Sequence, residues 1–213
     1  MREIDMQTWA RGTHFRTYKD FLQPLFGMCA HVEIGAFYKH IKALGVSINV
    51  AIIYTLTRAA NTIPEFRQRI RGNKVVEHDV VHPSTTILVE GGLFSFCDLN
   101  YDPNFSAFAV HAEARIAYIK SNPTLEDEEG RDDLLFMTAI PWVSFTSFLH
   151  PIRDASGDSF PRIAWGKLFE EGGAMKMPLG VQAHHALMDG LHVGKFYTEV
   201  ESYLQDGAAI LGD

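Results

Sequence analysis

Ala174-Met175-Lys176-Met177-Pro178-Leu179-Gly180-Val181-Gln182-Ala183-His184-His185, continued by Ala186-Leu187-Met188-Asp189-Gly190-Leu191-His192-Val193, decides the fold. Side chains on a strand alternate between its two faces, so Met175, Met177, Leu179, Val181, Ala183 and His185 share one apolar face. His184 points the other way, with Lys176 and Gln182. Beyond the strand the period changes. Val193, Phe196, Tyr197, Val200, Tyr203 and Leu204 recur at helical spacing, with Asp189 at the start and Gly207 where a C-cap glycine is expected. Upstream, residues 162–169 read as a second strand, joined to the first through the turn Glu170-Glu171-Gly172-Gly173.

The same alternation of short strands and helices extends to the N-terminus. Residues 13–25 read as a helix, 28–34 as a strand, and Ala36, Phe37, Ile41 and Leu44 as one face of an amphipathic helix. Residues 48–60 are apolar nearly all round, which predicts a buried helix, and Pro64 opens a short one as an N1 proline. Val75-Val76 and the runs 85–89 and 93–97 read as strands, the last two joined by Gly91-Gly92. Asn104 caps a helix carrying Phe105, Phe108, Ala112, Ile116 and Ile119 and ended by Asn122-Pro123. Helices and hairpins interspersed without a regular βαβ period predict an α/β fold with a mixed sheet. No internal repeat or linker divides the chain, so a single domain over residues 1–213 is expected.

Composition removes several classes of function. Nineteen Lys and Arg against twenty-six Asp and Glu give a net charge of -7, and no basic stripe stands out to displace counterions from phosphates, which argues against nucleic acid. No window approaches the roughly 18 uncharged apolar residues of a membrane span, and the first residues lack the apolar core of a secretion signal. Two cysteines, Cys29 and Cys97, are too few for a disulfide framework and fit a reducing, cytoplasmic compartment. The acidic run Glu126, Asp127, Glu128 and Glu129 reads as a solvated loop. Ten His and fifteen Phe are the surplus, and His is the side chain that exchanges protons near neutrality.

The His doublet therefore carries the chemical argument. An imidazole at a strand end can reach a cleft from a rigid backbone and take a proton from a hydroxyl or thiol. Asp189 has two readings at this point, a helix N-cap or a catalytic carboxylate, and His185 can equally be a satisfied core histidine. A metal site from His184, His185, Asp189 and His192 is disfavoured, because adjacent strand residues face opposite ways. No Gly-x-Ser-x-Gly elbow and no phosphate-binding Gly-rich loop is present.

The segment from Val181 to Val193 closely resembles the active-site segment of the trimeric chloramphenicol acetyltransferases. Its His-His-x-x-x-Asp-Gly core is shared with dihydrolipoyl acyltransferases and condensation domains. Trp9-Ala10-Arg11-Gly12-Thr13-His14-Phe15, Thr138-Ala139-Ile140-Pro141-Trp142-Val143-Ser144-Phe145 and the hairpin around Lys167 extend the resemblance from residue 9 to residue 205. It implies a two-layer sandwich, a mixed β-sheet with helices packed on it, assembled as a homotrimer with each site at a subunit interface. It implies acetyl transfer from acetyl-CoA, a co-substrate rather than a bound cofactor, to the primary hydroxyl of chloramphenicol.

Residue by residue, the resemblance makes His185 the general base and Thr138 the hydroxyl donor to the oxyanion, where the family has Ser. Asp189 paired with Arg11 would support the site, Tyr18 and Phe94 would contact the substrate, and Lys167 would lie on the coenzyme side. Ala164 departs from a family Thr that holds a water near the transition state, and Thr17 from a pocket aromatic. These two changes keep a related acyltransferase with another small alcohol or amine acceptor as the alternative. A non-catalytic antibiotic- or coenzyme-binding homologue is the other, although base and hydroxyl donor are both kept.

Overall fold

The computed structural model describes residues 1–126, 128, 130–152 and 157–212. In chain order the elements are β1 (Arg2–Glu3), α1 (Gly12–Tyr18), β2 (Leu25–Glu33), α2 (Gly35–Leu44) and α3 (Ile48–Asn61), then a 3-10 turn at Pro64–Arg67. They continue with β3 (Gln68–Arg71), β4 (Lys74–Glu77), β5 (His82–Leu88), β6 (Phe94–Asp98), α4 (Phe105–Ser121) and β7 (Leu134–Ile140). The last third holds β8 (Arg162–Gly166), β9 (Phe169–Glu171), β10 (Ala174–His184), α5 (Gly190–Gln205) and α6 (Gly207–Leu211).

Seven strands form one mixed sheet in the order β2-β10-β8-β7-β5-β6, with β9 on the N-terminal end of β10. The two contacts of β7 are parallel and the other pairings antiparallel. Met177, Leu179, Val181 and Ala183 of β10 share the core with Ile163 and Trp165 of β8 and with Leu135 and Met137 of β7. The helices cover this face. Because α3 is enclosed on nearly every side, its polar residues need internal partners, and Thr55 and Thr57 donate to the carbonyls of Ala51 and Ile53 at 2.9 and 2.7 Å. The sheet's other face carries Thr86, Thr138, Ala164 and Gly180, each one residue out of phase with the core positions.

A second sheet, β1-β4-β3, was not foreseen beyond the strand at Val75-Val76. Its strands are short and rich in charge, so they carry little apolar alternation. Arg69 ties this sheet to the main one, donating to the carbonyls of Phe66 and Gln68 and, at 2.6 Å, to Leu134 on β7. Burial lowers the Arg69 guanidinium to about 10, and it stays charged at neutral pH.

Several boundaries differ from the sequence reading, three of them with a clear consequence. The first helix stops at Tyr18 rather than residue 25; Pro24 disfavours the α conformation at Gln23 and so bars a helix running to 25, and Leu25 already belongs to β2. The strand expected over 162–169 splits into β8 and β9, which pair with different stretches of β10. Gly207 does not cap α5. Asp206 does, and its carboxylate caps α6 through Ala209 N–H, while a Cβ on Gly207 would lie 3.1 Å from the Phe37 ring. That glycine serves close approach to α2. The turn glycines behave as read: Gly172 and Gly173 have φ of 62° and 81° between β9 and β10. Of the acidic run, Asp127 and Glu129 lie outside the described residues.

Candidate active site

β10 ends at His184, and His185 occupies the turn that follows. Its N–H donates to Pro24 O at 2.8 Å, which anchors the turn to the residue preceding β2. The His185 Nδ1 lies 3.1 Å from Met188 O. A carbonyl only accepts, so Nδ1 carries the hydrogen of the neutral ring and the lone pair resides on Nε2. Nε2 has no hydrogen bond among the described residues. The half-buried ring stacks on Tyr18, with centroids 4.3 Å apart and planes at 22°, and meets Phe26 at 4.9 Å. Tyr18, the last residue of α1, is itself held edge-on by Phe21 at 5.0 Å.

Arg11 and Asp189 are separated by most of the chain and meet beside the His185 backbone. Arg11 Nη1 donates to Asp189 Oδ2 at 2.6 Å, and Nη2 donates to the backbone carbonyl of His185 at 3.2 Å. Asp189 is also the N-cap of α5, accepting from Leu191 N–H at 3.0 Å. The carboxylate is thus both cap and ion-pair partner. Burial works to raise its pKa, but hydrogen bonds from Arg11 and Leu191 and the nearby His192 outweigh that and bring it down to about 2. His192 Nδ1 lies 2.9 Å from Asp189 Oδ1, and its Nε2 lies 3.4 Å from Glu65 Oε1. Sequence reading left Glu65 unassigned, since nothing local links the turn at Pro64 to the start of α5.

His184 is buried and directed to the opposite face. Its Nδ1 accepts from Ala186 N–H at 3.2 Å, and burial lowers its pKa to about 4, so the ring is neutral. This histidine shapes the turn.

Thr138 is not near His185 within one chain. Thr138 on β7 is opposite Ala164 on β8, and Ala164 is opposite Gly180 on β10. His185 lies five residues beyond Gly180. Two strand spacings and five strand rises put the two side chains on the order of 15–20 Å apart. Phe94, first residue of β6, belongs to the Thr138 side: Leu88 is its partner across β5, on the face that carries Thr86. Phe94 is 53% exposed. Lys167 follows β8, with its N–H on Val143 O at 2.9 Å and its side chain exposed. Thr17 is exposed and donates to Thr13 O. Ala164 is buried and supplies no hydroxyl beside Thr138.

The chain therefore places His185, Tyr18, Arg11 and Asp189 together in one region and Thr138 and Phe94 in another. Thr86 was also missed from sequence. Its Oγ1 lies 2.6 Å from Thr138 Oγ1, a contact made only when β5 pairs with β7.

A family model described as chloramphenicol acetyltransferase matches residues 1–201. The chain is 32% identical over 206 residues to chloramphenicol acetyltransferases of Klebsiella sp and Escherichia coli, covering 95% of this chain and 93% of each relative. The Clostridium perfringens relative is 28% identical, with 99% and 97% covered. Among solved structures, a chloramphenicol acetyltransferase superposes with a TM-score of 0.84 at 30% identity, covering 95% of this chain and all of the other. A probable dihydrolipoamide acetyltransferase from Listeria monocytogenes, 14% identical with 97% and 94% covered, reaches 0.70 and shares the fold.

Proposed function

The chain belongs to the chloramphenicol acetyltransferase family, and from that premise we propose that it transfers the acetyl group of acetyl-CoA to the primary hydroxyl of chloramphenicol, with His185 as general base. The observation that carries this is the fixed tautomer of His185: Nδ1–H is engaged by Met188 O and the Nε2 lone pair is free. Nε2 removes the hydroxyl proton as that oxygen attacks the thioester carbonyl carbon, forming a C–O bond and a tetrahedral oxyanion. Thr138 donates its hydroxyl hydrogen to the oxyanion, a contact that in such sites lowers the barrier by about 3 kcal/mol. Collapse breaks the C–S bond, and the proton on Nε2 passes to the coenzyme sulfur. No acyl-enzyme is required.

The separation of Thr138 from His185 makes sense of the mechanism only if two copies meet. His185 of one copy and Thr138 of the next then face a single acceptor in a homotrimer. In support, the Thr138 side of the chain exposes large apolar groups near β5 and β6, among them Leu88 and Leu93 at 55% and 68%. Phe94 would wall the acceptor pocket from that side, Tyr18 from the His185 side, and the Lys167 ammonium would meet a coenzyme phosphate. Both cysteines are free, which accords with a cytoplasmic location. Among the described residues no helix is long and apolar enough to cross a membrane.

Release of coenzyme thiol on mixing the protein with acetyl-CoA and chloramphenicol tests the assignment, with the acetyl ester expected on the primary hydroxyl. Thiol release with other alcohols but none with chloramphenicol would overturn the acceptor. That second reading, a related acyltransferase, is favoured by one observation: Ala164 is buried beside Thr138 without a hydroxyl to hold a water.

A further inference from the structure

Thr86 and Thr138 sit on neighbouring parallel strands, β5 and β7, near the middle of the main sheet. Both project to the face away from the helices, since Thr85 and Met137, one residue before each, are paired and turned inward. Their hydroxyl oxygens are 2.6 Å apart, and neither hydroxyl has another partner among the described residues. Each hydroxyl has a single hydrogen, so only one of the two donates across the contact.

We infer that Thr86 is a positioning residue that fixes the direction of the Thr138 hydroxyl hydrogen. The inference rests on the reading of Thr138 as the oxyanion donor. A hydroxyl that spends its hydrogen on an oxyanion can still accept through its oxygen. Thr86 O–H is the only group among the described residues placed to donate to it. The order is therefore Thr86 O–H to Thr138 Oγ1, and Thr138 O–H to the oxyanion. Polarisation along such a chain makes the terminal donor stronger as charge develops. It also removes the rotational freedom of the Thr138 hydroxyl before substrate arrives, which is how a donor aids the transition state more than the ground state. A threonine at position 86 suits this use because branching at Cβ restricts χ1. Replacement of the family serine by Thr138 restricts the second partner in the same way.

The test compares Thr86→Val, Thr86→Ser, Thr138→Val and the double variant Thr86→Val/Thr138→Val, measuring kcat and both KM values. Thr86→Val keeps shape and strand preference and should lower kcat by about fivefold to tenfold, the worth of one hydrogen bond, with KM values unchanged. Thr86→Ser should restore kcat to within about twofold, because the hydroxyl returns. In the Thr138→Val background the Thr86 substitution should have no further effect, since nothing remains to orient. If Thr138→Val costs a large factor in kcat but Thr86→Val costs none, or its cost persists undiminished in the double variant, the positioning role is refuted. If Thr138→Val itself leaves kcat unchanged, the reading of Thr138 as oxyanion donor fails first, and the inference falls with it.

Discussion

The imidazole of His185 lies against the ring of Tyr18, centroids 4.3 Å apart and planes within 22° of parallel. Together with the Nδ1 contact to Met188 O, this fixes the ring in two independent ways: the hydrogen bond sets its tautomer and rotation, and the stack sets its plane. The tyrosine is at the C-terminal end of α1, seven residues after Arg11, which holds the His185 carbonyl from the same segment. The short segment from Arg11 to Tyr18 thus holds both the backbone and the ring of His185.

Tyr18→Phe should therefore keep most of kcat, because the stack needs only the ring. Tyr18→Ala opens space beside the base and should lower kcat by roughly tenfold to a hundredfold, the loss expected when a reacting group is misaligned. Steady-state rates with saturating acetyl-CoA decide it. If Tyr18→Phe is as slow as Tyr18→Ala, the hydroxyl matters and the ring-clamp role is wrong.

Asp189→Asn keeps an oxygen for the Leu191 N–H but removes the charge opposite Arg11. The Arg11 side chain is only 11% exposed, so it is left close to buried and unpaired. Breaking a fully buried pair costs about 3–5 kcal/mol. Asp189 is 31% exposed, and solvent screening brings the expected loss to about 2 kcal/mol. The melting temperature should fall by roughly 4–8 °C in a chain of this size, and kcat should fall with it. An Asp189→Asn variant with unchanged melting temperature and rate would show that Arg11 finds its charge partner elsewhere.

Much of this arrangement was readable in one dimension, and the reasons for the rest are physical. The alternation of Met177, Leu179, Val181 and Ala183 requires no partner to be seen, and it marked the strand, although His185, read as its last residue, lies in the turn one residue past its end. Asp189 was legible as a cap because capping is local. What could not be read is contact across the sheet: Thr86 with Thr138, and Glu65 with His192, depend on strand order and helix placement. The small second sheet was hidden because β3, Gln68–Arg71, contains a buried arginine satisfied by carbonyls of distant elements rather than by an apolar pattern.

One buried histidine, His184, and one half-buried histidine, His150, predict an acid limit on stability. Burial lowers both His184 and His150 to about 4, His150 being further disfavoured as a cation by Arg162 and partly supported by Gln182. In the unfolded chain each titrates near 6.5. Between those values the unfolded state binds protons that the folded state does not, so their contribution is complete above about pH 6.5 and is lost as pH falls toward 4. Melting temperature should decline across that window. His184→Asn, which keeps an acceptor for the Ala186 N–H, should flatten the decline. An identical pH profile in the variant would assign the acid sensitivity to other groups.

The strongest consequence of the separation of His185 from Thr138 concerns mixed assemblies. With His185 as the proposed base and Thr138 as the proposed oxyanion donor, the variants His185→Gln and Thr138→Val should each have little activity alone. If one chain supplied both residues to the same site, co-expressing the two variants would give only the average of the two low rates. If each site takes His185 from one copy and Thr138 from the next, random assembly at equal expression gives about one site in four with both residues intact, because the contributing copies are chosen independently around a cyclic trimer. The unfractionated pool should then show about a quarter of the wild-type kcat per site, and oligomers purified as containing both variants about a third, far above either parent. Recovery scaling with the product of the two expression levels, and vanishing when either is absent, is the expected signature. Mixed oligomers no faster than the parents would place both residues of a site in one chain and reject the shared arrangement.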